Sequence, residues 1–168
     1  IGIGWKSSKM TPERLPNYSS ISEWSEILSI PDVTFINLQS KDFADDLAKV
    51  KDELGVTIHN FEDLDHWNNI DDVSALCAAI DMVATNHGTV PLISAAVGTP
   101  TKLANWKQSP WNTILNNPVG PSVDIFERNT SEPWDNVFRL IKNEIVEQKN
   151  NWSSNCTQSP PQELVDQL

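Results

Sequence analysis

The segment from residue 81 to residue 100 constrains the fold of this chain most strongly. Residues 82–84 are apolar and predict a buried strand, and a polar turn follows at residues 85–89. A helix of small residues comes next, with Pro91 in its first turn, where a missing N–H costs little, and Gly98 at its end. The N–H groups at the start of such a helix suit an anion. We therefore predict an anion-binding turn here.

Strand and helix patterns alternate along the rest of the chain. Short β-branched runs predict strands, and apolar residues at every third or fourth position predict helices. The alternation predicts a three-layer α/β fold, in which helices cover both faces of a parallel sheet. The predicted strands are residues 1–5, 33–38, 56–59, 82–84, 101–105 and 123–126. The predicted helices begin near residues 20, 44, 70, 89 and 130, with a cap at Thr130 or Ser131 for the last one. The second helix is predicted to run from residue 44 to residue 54, with Gly55 as its stop signal.

One domain accounts for most of the chain. Residues 1–148 form the predicted α/β domain, and the polar residues 149–168 predict a loose tail. Since the first residues already follow a strand pattern, we expect the sequence to be a fragment of a longer protein. No signal peptide is recognisable and no apolar run reaches the length of a membrane span, so a cytoplasmic location is expected.

The charge excludes some function classes. The formal net charge is −11 and the sequence pI is about 4.5. Nucleic-acid binding needs a basic face that releases counterions, so we expect no nucleic-acid partner and no adhesion to anionic membranes. The two cysteines indicate no disulfide framework, and no pair of His or Cys has metal-ligand spacing.

Ligands of parallel sheets bind beyond the carboxyl ends of the strands. This rule points to five loops of the predicted fold, in which several polar residues fall together. The loops are residues 6–14, 39–41, 62–65, 85–89 and 105–111.

Several stretches follow one another in an order and spacing typical of one enzyme class. They are residues 2–8, 35–39, 71–81, 92–100 and 120–128, followed by Trp134. On these stretches the chain resembles the C-terminal lobe of two-lobed GT-B glycosyltransferases. It is most similar to the heptosyltransferase-like domains that accompany tetratricopeptide repeats in bacterial proteins. The resemblance implies one Rossmann-like lobe of a GT-B fold.

In that family the C-terminal lobe holds a nucleotide-sugar donor, with its diphosphate between the first loop and the turn before the small-residue helix. The resemblance implies that Gln39 meets the base or ribose, and it implies no metal and no cofactor besides the donor substrate. The four aspartates between residues 63 and 72 are then better explained by helix capping and solvation than by a metal site. The implied contacts to the donor are Lys6, Ser7, Ser8, Gln39, Asn86, His87, Gly88 and Thr89.

Two departures from the family support a second hypothesis. Leu92 stands where family members commonly carry a histidine, and the chain lacks the N-terminal lobe that supplies the acceptor site and usually the base. We therefore expect the lobe alone to have no catalytic turnover. Its expected partners are an N-terminal lobe or helical-repeat region, or a second copy at the exposed edge. The alternative is a degenerate lobe that serves as a structural or interaction module.

Other interpretations rank lower. A sugar epimerase with this fold would need a carboxylate–histidine arrangement that the sequence lacks, and no Gly-x-Gly-x-x-Gly follows the first strand for a dinucleotide. His87 could simply hydrogen-bond within its turn, and Lys6 could be solvated. Trp24 and Trp134 are predicted to be core residues. Trp106 and Trp111 could stack on a base or sugar, or cover the exposed edge.

Overall fold

The structure is a computed structural model that describes residues 1–7, 9–12, 14–109 and 122–156. In these ranges one parallel sheet of six strands has the order β3-β2-β1-β4-β5-β6. The order reverses between β1 and β4, as in Rossmann folds. The strands are β1 (Gly2–Gly4), β2 (Phe35–Asn37), β3 (Ile58–His59), β4 (Val83–Asn86), β5 (Thr101–Trp106) and β6 (Val123–Arg128).

Helices cover both faces of the sheet, which confirms the predicted three-layer Rossmann-like fold. A 3₁₀ helix at Ile21–Trp24 continues into the first α-helix. The α-helices are α1 (Ser25–Leu28), α2 (Ala44–Leu54), α3 (Ile70–Ala79), α4 (Val90–Ala96) and α5 (Asp135–Cys156). None of the helices in the described ranges is long and apolar enough to cross a membrane.

Two apolar cores lie on opposite faces of the sheet. The larger core joins α1, α2 and α5, where the Trp24 and Phe138 rings lie 4.8 Å apart. Trp24 and Trp134 are both buried there, as predicted. The smaller core joins α3 and α4 around Cys77 and Val83. Residues of β1 alternate between the two faces, so one short strand anchors both layers.

The helix boundaries match the sequence where a local signal determines them. Helix α2 ends at Gly55, whose φ of +67° is left-handed, as the sequence predicts. The predicted start of the last helix near residue 130 is wrong, because α5 begins at Asp135. The Arg128 guanidinium holds the intervening turn by donating to the Thr130 carbonyl at 2.7 Å.

The last helix also continues beyond the predicted domain end, because residues 149–156 are helical rather than a loose tail. The Lys149 ammonium lies 3.3 Å from the Asp32 carboxylate and also donates to the Pro31 carbonyl. This anchor joins the helix to the chain before β2. Residues 157–168 of the predicted tail lie outside the described residues.

Candidate functional site

A cleft of about 400 Å³ opens at the carboxyl edge of the sheet, where the strand order reverses. Gly4 of β1 pairs with Thr85 of β4, so the loops that follow these two strands lie side by side. Apart from Ser8, which lies outside the described residues, every predicted donor contact lines this cleft. These residues are Lys6, Ser7, Gln39, Asn86, His87, Gly88 and Thr89.

Lys6 lines the cleft, but its charge is already paired. Its ammonium lies 2.6 Å from the Asp46 carboxylate and donates to the Asp42 carbonyl at 2.6 Å. The same Asp46 oxygen accepts the Trp5 indole N–H at 2.7 Å. Asp46 therefore holds the Lys6 ammonium at the first turn of α2. An anion in the cleft would compete with the Asp46 carboxylate for this ammonium.

Gln39 acts on the loop after β1 from inside the protein. Its side-chain oxygen accepts the Lys6 backbone N–H at 3.1 Å, while its own backbone N–H donates to the Asn37 side chain at 2.9 Å. Gln39 is buried, so these contacts fix the ends of β1 and β2 relative to each other. A contact from Gln39 to a base or ribose stays a prediction.

Asn86 belongs to a buried relay of polar groups. The Trp24 indole donates to the Ser19 hydroxyl at 2.8 Å, and that hydroxyl donates to the Asn86 side-chain oxygen at 2.6 Å. The Asn86 side-chain N–H group reaches the Ala104 carbonyl at 3.4 Å. Asn86 is only 2% exposed, so the relay connects the chain after β1 to the ends of β4 and β5.

His87 lies between two aromatic rings. Its ring centroid is 5.2 Å from that of Tyr18 and 4.8 Å from that of Trp106, which it meets edge-on. Burial, with a smaller effect of the Arg14 charge, lowers the pKa of His87 to about 4, so its imidazole is neutral at pH 7. Trp106 is buried against His87, which makes it part of the wall behind the turn. Trp111 lies outside the described residues.

Gly88 and Thr89 form the open part of the turn. No atom lies within 4 Å of the position that a Cβ of Gly88 would occupy. The first hydrogen bonds of α4 run from Leu92 and Ile93 to the Thr89 carbonyl, both at 3.1 Å. The helix thus leaves the N–H groups of residues 88–90 without a helical partner, although α4 has only 7 residues and a correspondingly small dipole.

Arg14 is a cation of this cleft that the prediction passed over. It lies at the end of the first selected loop, and its guanidinium donates to the Lys9 carbonyl at 3.3 Å. Its charge opposes the raised pKa of Tyr18, which is caused mainly by burial, and contributes to the lowered pKa of His87. Arg14 is exposed, so it is better placed than Lys6 to meet an anion. The carboxyl-edge rule selected its loop, but not this residue.

The loop after β3 and the first residue of α3 supply a further wall, formed by His66, Trp67 and Ile70. The sequence prediction stopped at residue 65 and therefore missed all three. The sequence assigned Ile70 to the apolar stripe of the third helix, and exposed Trp67 belongs to no helical or strand period. Only the position of these residues after a strand end could have indicated a role in the cleft. Asp71 and Asp72 lie in the first turn of α3, where the Asn69 side chain caps the helix by accepting from the Asp72 N–H, in line with the predicted capping role.

Comparison with known proteins gives one relative. The chain is 36% identical over 137 residues to Protein FlbA of Caulobacter vibrioides. The match covers 80% of this chain and 23% of FlbA, so the chain spans about a quarter of the length of that relative. No protein-family model matches the chain, and no solved structure matches it. The two proteins thus share a region of domain size.

The chemistry of the cleft differs from that of the protein as a whole. Its described lining includes Arg14, Lys6 and several hydroxyls and amides, and no aspartate or glutamate, although the chain has a net charge of −11. Among the residues that the structure describes, no three His, Cys, Asp or Glu side chains form a group that could hold a metal ion. The cleft is therefore suited to a polar anion rather than to a cation.

Proposed function

We propose that this chain is the donor-binding lobe of a nucleotide-sugar glycosyltransferase. The observation that carries the proposal is a cationic cleft at the strand-order reversal of a Rossmann-like sheet in a strongly acidic chain. Nucleotides bind at this place in open α/β sheets. The family resemblance of the sequence narrows the ligand to a nucleoside-diphosphate sugar.

In this proposal the cleft stabilises the diphosphate as it leaves the sugar. Negative charge grows on the diphosphate when the glycosidic bond breaks, and fixed N–H donors and cations lower the energy of that state. Arg14 suits this task, because a guanidinium offers phosphate several donors in one plane. The N–H groups of residues 88–90, which the hydrogen bonds of α4 leave without a helical partner, add further donors. In this proposal the acceptor and its base are bound by an N-terminal lobe, as the family resemblance implies.

A structural or interaction module is the second candidate. The pairing of Lys6 with Asp46 favours it, since a lysine that is already neutralised contributes less to an anion site. Leu92, in place of the histidine of the family, favours it as well. This module would keep the fold and the cleft without affinity for nucleotides.

Ligand-induced stabilisation separates the two candidates. UDP, GDP, ADP and CDP are tested at millimolar concentration, and we expect one of them to raise the melting temperature. At a hundredfold excess over Kd the stabilisation is about 2.7 kcal/mol. Gly88→Val should reduce the nucleotide affinity at least about tenfold, because the added side chain would occupy space that the ligand needs. The variant should fold normally, since no atom lies within 4 Å of the new Cβ and the backbone is not strained.

The matched control is Ala96→Val, at the exposed end of α4 outside the cleft lining, which should bind like the parent protein. Equal unfolding temperatures of the ligand-free variants would show that any loss is local. A flat response to all four nucleotides would reject the donor lobe in favour of the structural module.

The ion pair of Lys6 and Asp46 gives a second prediction. Asp46→Asn retains an acceptor for the Trp5 indole but removes the charge that holds Lys6, so we expect the diphosphate to bind several-fold more tightly. Lys6→Met should weaken binding by a similar factor. Titration calorimetry of the two variants and their combination measures the coupling. If neither single variant changes the Kd for the diphosphate, Lys6 does not contact the ligand and serves only to anchor α2.

A further inference from the structure

The loop after β3 and the start of α3 present an exposed apolar surface to the cleft, here called the aromatic wall and formed by His66, Trp67 and Ile70. Trp67 is 52% exposed and Ile70 is 59% exposed, although both line a cleft. Leaving large apolar side chains in water forgoes the stabilisation that burial would provide, so such a group beside a cavity points to a ligand.

Trp67 is held in position before any ligand arrives. One Asp65 carboxylate oxygen accepts the backbone N–H groups of Trp67 and Asn68 at 2.9 and 3.0 Å. The Lys41 ammonium lies 3.8 Å from the centroid of the indole ring, a cation–π contact. Because Trp67 is still half exposed, the rest of the ring remains open to a ligand. An indole that is already ordered loses little entropy when it binds.

His66 adds unsatisfied polar atoms to the same wall. Both ring nitrogens are shielded from solvent, and neither has a hydrogen-bond partner among the described residues. Burial lowers the pKa of His66, so its ring is neutral at pH 7 and carries one donor and one acceptor. Leaving such atoms unpaired is costly, and a small shift of the ring towards a ligand would recover the loss.

We propose that the aromatic wall binds the flat base of a nucleoside diphosphate whose phosphates lie at Arg14. This inference rests on the proposed function and deepens it, because it assigns the base to the loop after β3. A base has a face that stacks on indole and an edge that exchanges hydrogen bonds with imidazole. The cleft of about 400 Å³ falls within the usual range for small-molecule sites.

The test compares nucleoside diphosphates with inorganic pyrophosphate by titration calorimetry. The best of UDP, GDP, ADP and CDP should bind the parent protein about tenfold or more tightly than pyrophosphate, as expected of one stacked base. Trp67→Ala should remove this advantage and leave pyrophosphate affinity unchanged. Trp152→Ala is the matched control, because Trp152 is 40% exposed but lies on α5, outside the cleft lining.

The remaining outcomes separate the two proposals. If nucleoside diphosphates bind no more tightly than pyrophosphate, or if Trp67→Ala weakens both equally, the base subsite is wrong and the anion site stands. If neither ligand binds, the proposed function fails and the subsite fails with it. Trp67→Phe should restore part of the advantage, which a purely structural role of the loop would not predict.

Discussion

Asn86→Ala should lower the free energy of unfolding by about 2–3 kcal/mol, although Asn86 lies at the turn that the sequence predicts to bind a ligand. The change removes the acceptor of the Ser19 hydroxyl and the donor to the Ala104 carbonyl. Both groups are then left in a buried site, where an unsatisfied hydrogen bond is costly. Urea unfolding of the variant and the parent protein, followed by circular dichroism, measures the difference.

Thr89→Ala is the control from the same turn. Thr89 is exposed and its side chain makes no capping hydrogen bond, so stability should change by less than about 0.5 kcal/mol. Thr89 lines the cleft, so nucleotide binding should weaken instead. A variant of Asn86 that keeps full stability but loses nucleotide binding would contradict this assignment and restore the role implied by the family resemblance.

Acidification should destabilise the protein through His87. Its pKa is about 4 in the folded protein and 6.5 in a model peptide, so the unfolded chain takes up a proton first as pH falls. The stabilisation is therefore complete above pH 6.5 and is lost towards pH 4. The linkage relation gives a loss of about 2 kcal/mol at pH 5 and about 3 kcal/mol at pH 4. Urea unfolding at a series of pH values measures it.

His87→Phe should flatten this pH dependence, because phenylalanine keeps an aromatic ring between Tyr18 and Trp106 and does not titrate. His66 has a lowered pKa as well and contributes a loss of the same sign, so some slope remains in the variant. Asp65 and Glu132, whose pKa values hydrogen bonds lower, act at lower pH. Equal slopes for the variant and the parent between pH 5 and 6.5 would show that folding does not lower the pKa of His87.

Local patterns along the chain were sufficient for most of the architecture. Helix α2 was predicted with both of its observed ends, because an apolar period runs up to a glycine that ends the helix. The last helix was predicted with the wrong ends, since its start depends on Arg128 and its extension on Lys149 and Asp32. Those contacts join residues that are distant in the sequence, so no local sequence pattern indicates them.

The candidate site follows the same division. The rule that ligands bind at the carboxyl ends of parallel strands selected five loops, and residues of three of them, 6–14, 39–41 and 85–89, line the cleft. The loop at residues 62–65 and the described part of the loop at residues 105–111 do not line it. The rule could not predict which side chains in these loops contact a ligand and which stabilise the fold. Lys6 meets Asp46, and Asn86 meets Ser19, across 40 and 67 positions of sequence. Only the fold decides whether a polar side chain serves a ligand or the scaffold.

The amino-acid sequence by itself therefore determined the layered sheet, the order of its elements and the edge at which a ligand would bind. Hydrophobic periodicity and turn residues are local properties, so they can be recognised in the amino-acid sequence alone. The tertiary structure decided that Arg14 is more exposed than Lys6 in the cleft, and that the buried side chains of Gln39 and Asn86 hydrogen-bond within the protein. These roles depend on burial and on partners distant in the chain, which exist only once the sheet has formed.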